Sequence, residues 1–302
     1  MKKINLLLSH ENRNSFNNYW IVNILHDFFN VIFIENEPVF DKTDTIIMFG
    51  ADGPNWVEQF QDQNYKIVTE HLWNSGPTIP LKNSMFLTNK NWFWYNEALH
   101  YSSLTYDQYI PNKDYKKLAL MPMWHHRDYR DQLIIKLSDL LDNLIYSYAK
   151  NGIFLPNDDE INSTRYNYFR PEWYDTTYFS IVAETRIDTE YFFISEKTYK
   201  PIAFYHPFII VGQPKILDYL HQQGFETYEN LFDESYDLEY NFNNRFKKII
   251  QNIRNYKPMP YDVTTQNKLE HNHNLFFNIN LVKQRFVDEI VNPIIDYFET
   301  KQ

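Results

Sequence analysis

The chain has 302 residues, of which 43% are hydrophobic and 23% charged, proportions typical of a globular protein and not of a disordered one. Its formal net charge of −10 disfavours a general nucleic-acid binder, whose affinity depends on neutralising phosphates, although a local basic groove stays possible. The absence of cysteine excludes disulfides, thiolate zinc sites and a cysteine nucleophile.

The first third of the chain alternates short apolar runs with helical segments. The runs INLLL, VIFI, TIIMF, KIV and SMFL predict strands, and residues 15–29, 54–61 and 91–101 predict helices. No apolar run approaches the roughly 20 residues of a membrane span, and the one at the N-terminus is too short for a secretory signal. We therefore expect a cytoplasmic protein without membrane insertion.

A polar stretch at 106–116 with one proline predicts a linker, after which the alternation resumes. The predicted strands are 117–123, 143–148, 178–184 and 207–212, and the predicted helices are 128–142, 214–224, 243–255 and 280–299. The helix 214–224 ends at Gly224, a residue typical of helix C-termini.

Two series of strands and helices predict an α/β protein with two Rossmann-like domains that face each other across a cleft. The predicted domains are 1–110 and 117–279. The C-terminal helix, 280–302, is expected to pack back towards the first domain.

A polar island, Ser195-Glu196-Lys197, lies where the apolar run YFFI meets a helix. Ligands of parallel sheets bind at such junctions, and a helix N-terminus offers free N–H groups to a phosphate. Lys197 would add a positive charge, and Glu196 could accept hydrogen bonds from sugar hydroxyls. Pro201 removes a helix hydrogen bond, so this helix should be short or kinked. The alternative is a capped helix with a solvated Glu196–Lys197 pair.

A second cationic junction follows the strand 117–123, where Arg127 and Arg130 begin the next helix. Arginine suits diphosphate oxygens, and cations oppose the dipole of a helix in its first turn, so a purely structural helix should avoid them. The six glycines form neither G-x-G-x-x-G nor a Walker A sequence, which disfavours dehydrogenases and P-loop kinases.

The chain also contains no Asp-x-Asp, the metal ligand of one large class of sugar transferases. The segment EHNHN at 270–274 is interpreted as a polar helix end, and His125-His126 as cleft or surface residues. No metal site is predicted.

These residues resemble a known family. The segment VAETRIDTEYFFISEKTYKPIAFYHPFIIVG resembles the donor-binding segment of the α1,3-fucosyltransferase-like glycosyltransferases, and MWHHRDYRDQLIIKL is similar to an arginine-bearing turn in the same domain. GFETYENLFDESYD, at 224–237, is similar to a block found in uncharacterised phage and marine microbial proteins. The resemblance covers roughly residues 117–240, and no motif in 1–110 matches a family.

The resemblance implies a metal-independent transferase of the GT-B type that holds a nucleoside-diphosphate sugar in its C-terminal domain. The donor-binding residues it implies are Arg127, Arg130, Glu184, Ser195, Glu196 and Lys197. Glu196 would contact the ribose, Lys197 and the arginines would contact the diphosphate, and Glu184 would lie beside the donor. Lys200 and Pro201 depart from the regular helix of the fucosyltransferases, so neither the base nor the sugar of the donor is assigned.

The implied reaction is attack of an acceptor hydroxyl on the anomeric carbon, with a nucleoside diphosphate leaving. It requires a general base, expected from the N-terminal domain, and no cofactor besides the nucleotide-sugar co-substrate. Candidates at strand ends are His10, Glu11, Asp52, Glu70 and His71. Glu70 is preferred as the catalytic residue because an apolar strand leads directly into it and Trp73 could stack on a sugar.

The acceptor is expected to be a glycan, and a hydroxymethylated DNA base is the second choice because the chain is acidic. The sequence is also compatible with a different class of protein: a non-catalytic nucleotide- or glycan-binding protein with the same fold.

Overall fold

A computed structural model describes residues 4–9, 22–34, 45–49, 66–70, 84–87, 91–155, 170–187 and 192–300. The chain divides into two compact units, the first comprising Met1–Leu104 and Asn278–Gln302 and the second Thr105–Phe277. The assignment of the first unit to the acceptor and of the second to the nucleotide sugar stays a prediction.

The first unit contains a parallel sheet in which the described strands follow the order β2-β1-β3-β4-β5. Its elements are β1 Asn5–Ser9, α1 Val22–Phe28, β2 Asn30–Ile34, β3 Thr45–Phe49, β4 Lys66–Glu70, β5 Ser84–Leu87 and α2 Trp92–Ser103. These strands are short apolar runs, as expected of a parallel sheet.

The second unit repeats this architecture with a parallel sheet in the order β7-β6-β8-β9. Its elements are β6 Lys117–Met123, α3 Asp128–Lys136, β7 Leu144–Tyr148, α4 Pro171–Asp175, β8 Thr177–Ala183, α5 Glu196–Ala203, β9 Phe208–Val211, α6 Ile216–Gln223, α7 Phe242–Asn255 and α8 Val263–Phe276. All four residues of β9 are buried, so this strand lies within the core. The predicted α/β fold with parallel sheets is confirmed.

The C-terminal helices belong to the first unit. They are α9 Ile279–Phe286 and α10 Asn292–Thr300, joined by a π-helical turn at Val287–Val291. Phe286 packs against Trp92 of α2 with ring centroids 6.2 Å apart, and Asn91 donates a hydrogen bond to Glu289.

Two helices of the second unit end where local chemistry requires it. α5 has eight residues and ends two residues after Pro201, which agrees with the prediction of a short helix. α6 is followed by Gly224 at φ 96°, a left-handed conformation that glycine adopts without strain.

The helix predicted over 128–142 is shorter than expected, because α3 ends at Lys136. Arg254 of α7 donates a hydrogen bond of 2.7 Å to the carbonyl of Lys136 and pairs with Asp139 at 2.6 Å. This contact binds a carbonyl at the helix end, and the chain continues in tighter turns.

Within the described part of the chain, no helix is both long and apolar enough to cross a membrane.

Candidate functional site

The second sheet reverses its chain order between β6 and β8, and a parallel sheet forms its ligand crevice at such a point, outside the carboxyl ends of the strands. The candidate residues from the sequence come after the carboxyl ends of two of these strands. Arg127 and Arg130 follow β6, while Glu184 and the island 195–197 follow β8. The structure therefore brings both predicted junctions to one edge of one sheet.

Glu184 is the centre of this edge. Its carboxylate is fully buried, and each of its oxygens accepts two hydrogen bonds. Oε1 accepts from Ser195 N at 3.0 Å and Thr198 Oγ1 at 2.7 Å, and Oε2 accepts from Ser195 Oγ at 2.6 Å and Thr185 N at 3.0 Å. A buried carboxylate needs such compensation, and a helix N-terminus supplies it. Glu184 thus fixes the start of α5 to the end of β8.

Two of the N–H groups at the start of α5 already have protein acceptors, which bears on the expectation that they bind a phosphate. The N–H of Ser195 donates to Glu184, and the N–H of Lys197 donates to Ser195 Oγ at 3.3 Å. The carboxylate of Glu184 therefore already lies beside the helix end at which a ligand anion was expected. The phosphate contact of these N–H groups stays a prediction, and side-chain cations stand beside them at the same edge.

Glu196 and Lys197 form an ion pair of 2.6 Å whose side chains are only 9% and 20% exposed. Lys197 Nζ also lies 3.4 Å from Thr185 Oγ1, so the ammonium is held between the end of β8 and the start of α5. Burial alone would raise the pKa of Glu196, but the charges of Lys197 and Lys200, and the hydrogen bond from Lys197, hold that pKa below its ordinary value. The pair is not the solvated one of the alternative interpretation.

The lowered pKa of Glu196 predicts how stability depends on pH. The stability that this carboxylate contributes is present above its unfolded-state pKa and is lost as pH falls through its folded-state pKa. We expect Glu196→Gln to flatten the fall in melting temperature on acidification through and below the unfolded value of about 4.3. Melting curves across this range test it, with Glu226→Gln as an exposed control. Parallel profiles for wild type and Glu196→Gln would contradict the prediction.

The two arginines occupy different environments. Arg130 is 2% exposed, and its guanidinium donates to the carbonyls of His125 and Ala183 at 2.7 and 2.8 Å. Arg127, at the N-cap of α3, is exposed. This geometry departs from the expectation that both arginines face a phosphate, because the guanidinium of Arg130 donates to two backbone carbonyls and to the hydroxyl of Tyr129. Arg130 holds the end of β8 against α3, and Arg127 is the arginine that a ligand can reach.

Sequence reasoning missed Arg245 of α7. This buried guanidinium donates to the carbonyls of Ile187, Gly212 and Glu239 at 2.8, 3.0 and 2.7 Å. It thereby ties together the segments that follow β8 and β9. A signal was present, since Arg245 lies on the apolar face of α7 with Phe242, Phe246 and Ile249, where a cation is unusual.

Two further residues shape the edge beyond β9. Asp237 accepts hydrogen bonds from the N–H groups of Leu217 and Asp218 at 3.1 and 3.2 Å, and so holds the start of α6 as Glu184 holds that of α5. Burial raises the pKa of Asp237. A Cβ on Gly212 would lie 2.7 Å from Ile216 Cδ1 and 3.3 Å from Glu184 Cβ, so a larger residue here would force the side chain of Ile216 to shift.

The predicted general base lies at the end of β4, in the other unit. Glu70 is the last residue of that strand, but its side chain lies outside the described part of the structure. The other candidates, His10, Glu11, Asp52 and His71, also lie outside the described residues, as does Trp73.

The histidines that the sequence analysis weighed as metal ligands have other partners. His126 pairs with Asp131 at 2.7 Å, and His271 and His273 contact the carbonyls of Gly224 and Ala203. Among the described residues, no group of three or more histidine, cysteine, aspartate or glutamate side chains could hold a metal ion.

Comparison with known proteins shows a likeness of fold. No family model matches the chain, and no curated protein matches it in sequence. A crystal structure of an α1,3-fucosyltransferase matches with a TM-score of 0.54 and 11% identity, over 93% of this chain and 92% of that one. A crystal structure of α1,3-fucosyltransferase with GDP matches with a TM-score of 0.53 and 12% identity, over 93% and 90%. The chain therefore has the GT-B-type α/β fold of these fucosyltransferases, as the sequence predicted.

Proposed function

We propose that the chain is a glycosyltransferase that moves a sugar from a nucleoside-diphosphate sugar to an acceptor hydroxyl without a metal ion. The observation that carries the proposal is the ammonium of Lys197, held at the ligand-binding edge of a parallel sheet by a network centred on Glu184. A cation fixed in this way is suited to a diphosphate. One of the fold neighbours was solved with GDP, which supports a nucleoside diphosphate as the first ligand to test.

The proposed reaction is a single displacement at the anomeric carbon. The acceptor oxygen forms the new glycosidic bond, the bond from the anomeric carbon to the phosphate oxygen breaks, and the nucleoside diphosphate leaves with the electron pair. Lys197 and the exposed Arg127 stabilise the charge that develops on the diphosphate. The proton of the acceptor hydroxyl passes to a general base, for which we propose Glu70. Metal independence rests on these cations and on the lack of Asp-x-Asp in the chain.

The remaining donor-site residues have supporting roles in this proposal. Glu184, Ser195 and Arg130 position the start of α5 and the end of β8 without touching the leaving group. Glu196 orients Lys197 by their ion pair and, when a donor is bound, can share its carboxylate with the ribose hydroxyls.

The acceptor we propose is a glycan hydroxyl. A hydroxymethylated base in DNA is the second acceptor to test, since the net charge of −10 opposes binding to a polyanion. The alternative, a protein that binds nucleotide sugars without transferring the sugar, differs from a transferase in turnover. A measurement of binding alone does not separate the two.

The proposal predicts release of a nucleoside diphosphate from one member of a panel of nucleoside-diphosphate sugars. The purified chain is incubated with each donor, with and without neutral oligosaccharides, and the released diphosphate is measured. We expect release to rise with an acceptor and to persist in EDTA, because side-chain cations stabilise the leaving group.

Two variants separate the roles in this assay. Glu70→Gln is expected to abolish transfer while leaving the affinity for the diphosphate unchanged, and Lys116→Ala, which removes an exposed lysine, serves as the control. Binding of a donor without turnover under any condition would identify a binding protein. A requirement for Mn²⁺ or Mg²⁺ would contradict metal independence.

A further inference from the structure

A pocket lies in the same unit as the proposed donor site. Its volume is about 490 Å³, within the range of small-molecule sites, and four tyrosines line it, Tyr109, Tyr115, Tyr205 and Tyr261. We call it the tyrosine pocket. The proposed transfer reaction uses none of its residues.

The tyrosine pocket lies at the amino edge of the second sheet. Tyr109 and Tyr115 precede β6, and Tyr205 precedes β9. Tyr115 stacks on Tyr178 near the start of β8, at 4.2 Å, and Tyr261 donates a hydrogen bond to the carbonyl of Tyr178. Because the strands are parallel, this edge is opposite the one that carries Lys197. A ligand here is separate from the donor.

Neighbouring groups hold the tyrosine rings in place. Tyr205 stacks on His273 at 4.1 Å, and Tyr109 donates its hydroxyl to Asp175. All four tyrosines stay only partly buried, so ring surface is open to a ligand. The pocket is therefore built before any ligand arrives, and its stacking surfaces cost little ordering on binding.

The backbone of Tyr205 is strained. Its φ of 50° lies in the left-handed region, which a bulky side chain rarely adopts. Such conformations persist where the surrounding structure enforces them, and they are frequent at ligand sites. Here the conformation puts an aromatic ring into the wall of the pocket.

The polar residues of the pocket favour a ligand that carries hydroxyls and no net charge. Gln266 and Glu270 are exposed one helical turn apart on α8, and Lys113 stands on the wall that precedes β6. Lys113 donates to the carbonyl of Tyr174 and lies 3.9 Å from Asp175, and burial lowers its pKa to about 8. Glu270 would repel an anionic ligand, and Lys113 would attract it only weakly because that lysine already lies beside Asp175. Lys113 would repel a cationic ligand.

We propose that the tyrosine pocket is a carbohydrate-binding site that takes neutral sugar rings. The apolar face of a pyranose stacks on Tyr205 and Tyr115, while its hydroxyls bond to Gln266, Glu270 and Lys113. This site goes beyond the proposed transfer function and does not depend on it, because binding at the amino edge requires neither a donor nor the ion pair of α5.

The test is saturation-transfer NMR on the full chain with lactose, N-acetyllactosamine, maltose and cellobiose. At least one of these sugars is expected to bind, and GDP is expected not to displace it. Gln266→Ala/Glu270→Ala and, separately, Tyr205→Gly should each weaken binding by about tenfold or more. Glycine adopts the backbone of residue 205 without strain, so the second variant removes the ring while relieving the conformation.

Asn267→Ala is the matched control. Asn267 is exposed on α8, between Gln266 and Glu270 in sequence, and does not line the pocket. It should bind the sugar as wild type does. The proposal is overturned if no disaccharide binds, if the pocket variants bind as tightly as Asn267→Ala, or if GDP competes with the sugar. A failure of donor turnover would leave all of these measurements unaffected, so the two proposals fail independently.

Discussion

Glu184→Ala is expected to lower the free energy of unfolding by about 3–5 kcal/mol, the cost of removing one side of a buried, hydrogen-bonded charge network. The variant leaves four donors without their acceptor: the N–H groups of Thr185 and Ser195 and the hydroxyls of Ser195 and Thr198. The N-terminus of α5 also loses the negative charge that faces its dipole. Denaturant titration at neutral pH, followed by circular dichroism, gives the difference.

Two other variants calibrate this result. Glu184→Gln keeps the shape and one acceptor oxygen but turns an NH₂ group towards the donors, so its loss of stability should fall between wild type and Glu184→Ala. Glu226→Ala removes an exposed glutamate and should change the free energy of unfolding by less than about 0.5 kcal/mol. A change in Glu184→Ala as small as that would mean that the network does not hold the edge of the sheet together.

The strands and most helices could be predicted because their pattern is local. A run such as KLALMPM, bounded by polar residues, is buried on both faces of a parallel sheet, and the structure has β6 over the same residues, Lys117–Met123. Turn and cap residues act equally locally, so the end of α6 at Gly224 followed from the sequence alone. These features need no knowledge of what lies across the fold.

The errors came from contacts between distant parts of the chain. The helix expected to run to 142 ends at Lys136, whose carbonyl accepts a hydrogen bond from Arg254, more than a hundred residues later. Spacing alone could not separate Arg127 from Arg130, because only the packed structure shows that the guanidinium of Arg130 points at carbonyls of β8 and the loop before α3. The motif predicted that both arginines lie near the site. Only the tertiary contacts show which of them can bind a ligand and which supports the fold.

The same limit applies to what the sequence analysis missed. Arg245 lies on a helix far from the island 195–197, and its partners are backbone carbonyls, which no side-chain motif reveals. The tyrosine pocket collects rings from three separate segments of a chain with 24 tyrosines, so no single tyrosine was distinctive. A site whose residues come from several separate segments can be recognised only in the folded structure.

Lys197→Ala is expected to weaken binding of the proposed leaving group, a nucleoside diphosphate of which GDP is the first to test, by roughly ten- to a hundredfold, which corresponds to about 1.4–2.8 kcal/mol for a lost charge-assisted contact. The expectation rests on the placement of the ammonium at the carboxyl edge, with Thr185 and Ser195 within 3.5 Å. The variant should also lose stability, by about 1–3 kcal/mol, because the mostly buried carboxylate of Glu196 is left without its cation. Calorimetric titration with GDP and denaturant unfolding measure the two effects.

The chain offers a matched control for the ion pair. Lys116 and Asp114 are also 2.6 Å apart, but their side chains are 64% and 65% exposed, so Lys116→Ala should cost about 0–1 kcal/mol of stability and leave GDP binding unchanged.

The double variant Glu196→Gln/Lys197→Ala separates ligand binding from pairing. Neutralising Glu196 removes the unpaired charge, so this variant should recover part of the stability that Lys197→Ala loses, while its affinity for GDP stays low. If the ammonium only compensates Glu196, GDP should bind Lys197→Ala as tightly as wild type, and the proposed donor site at this edge would be wrong. Affinity that returned together with stability in the double variant would likewise show that Lys197 supports α5 without touching the ligand.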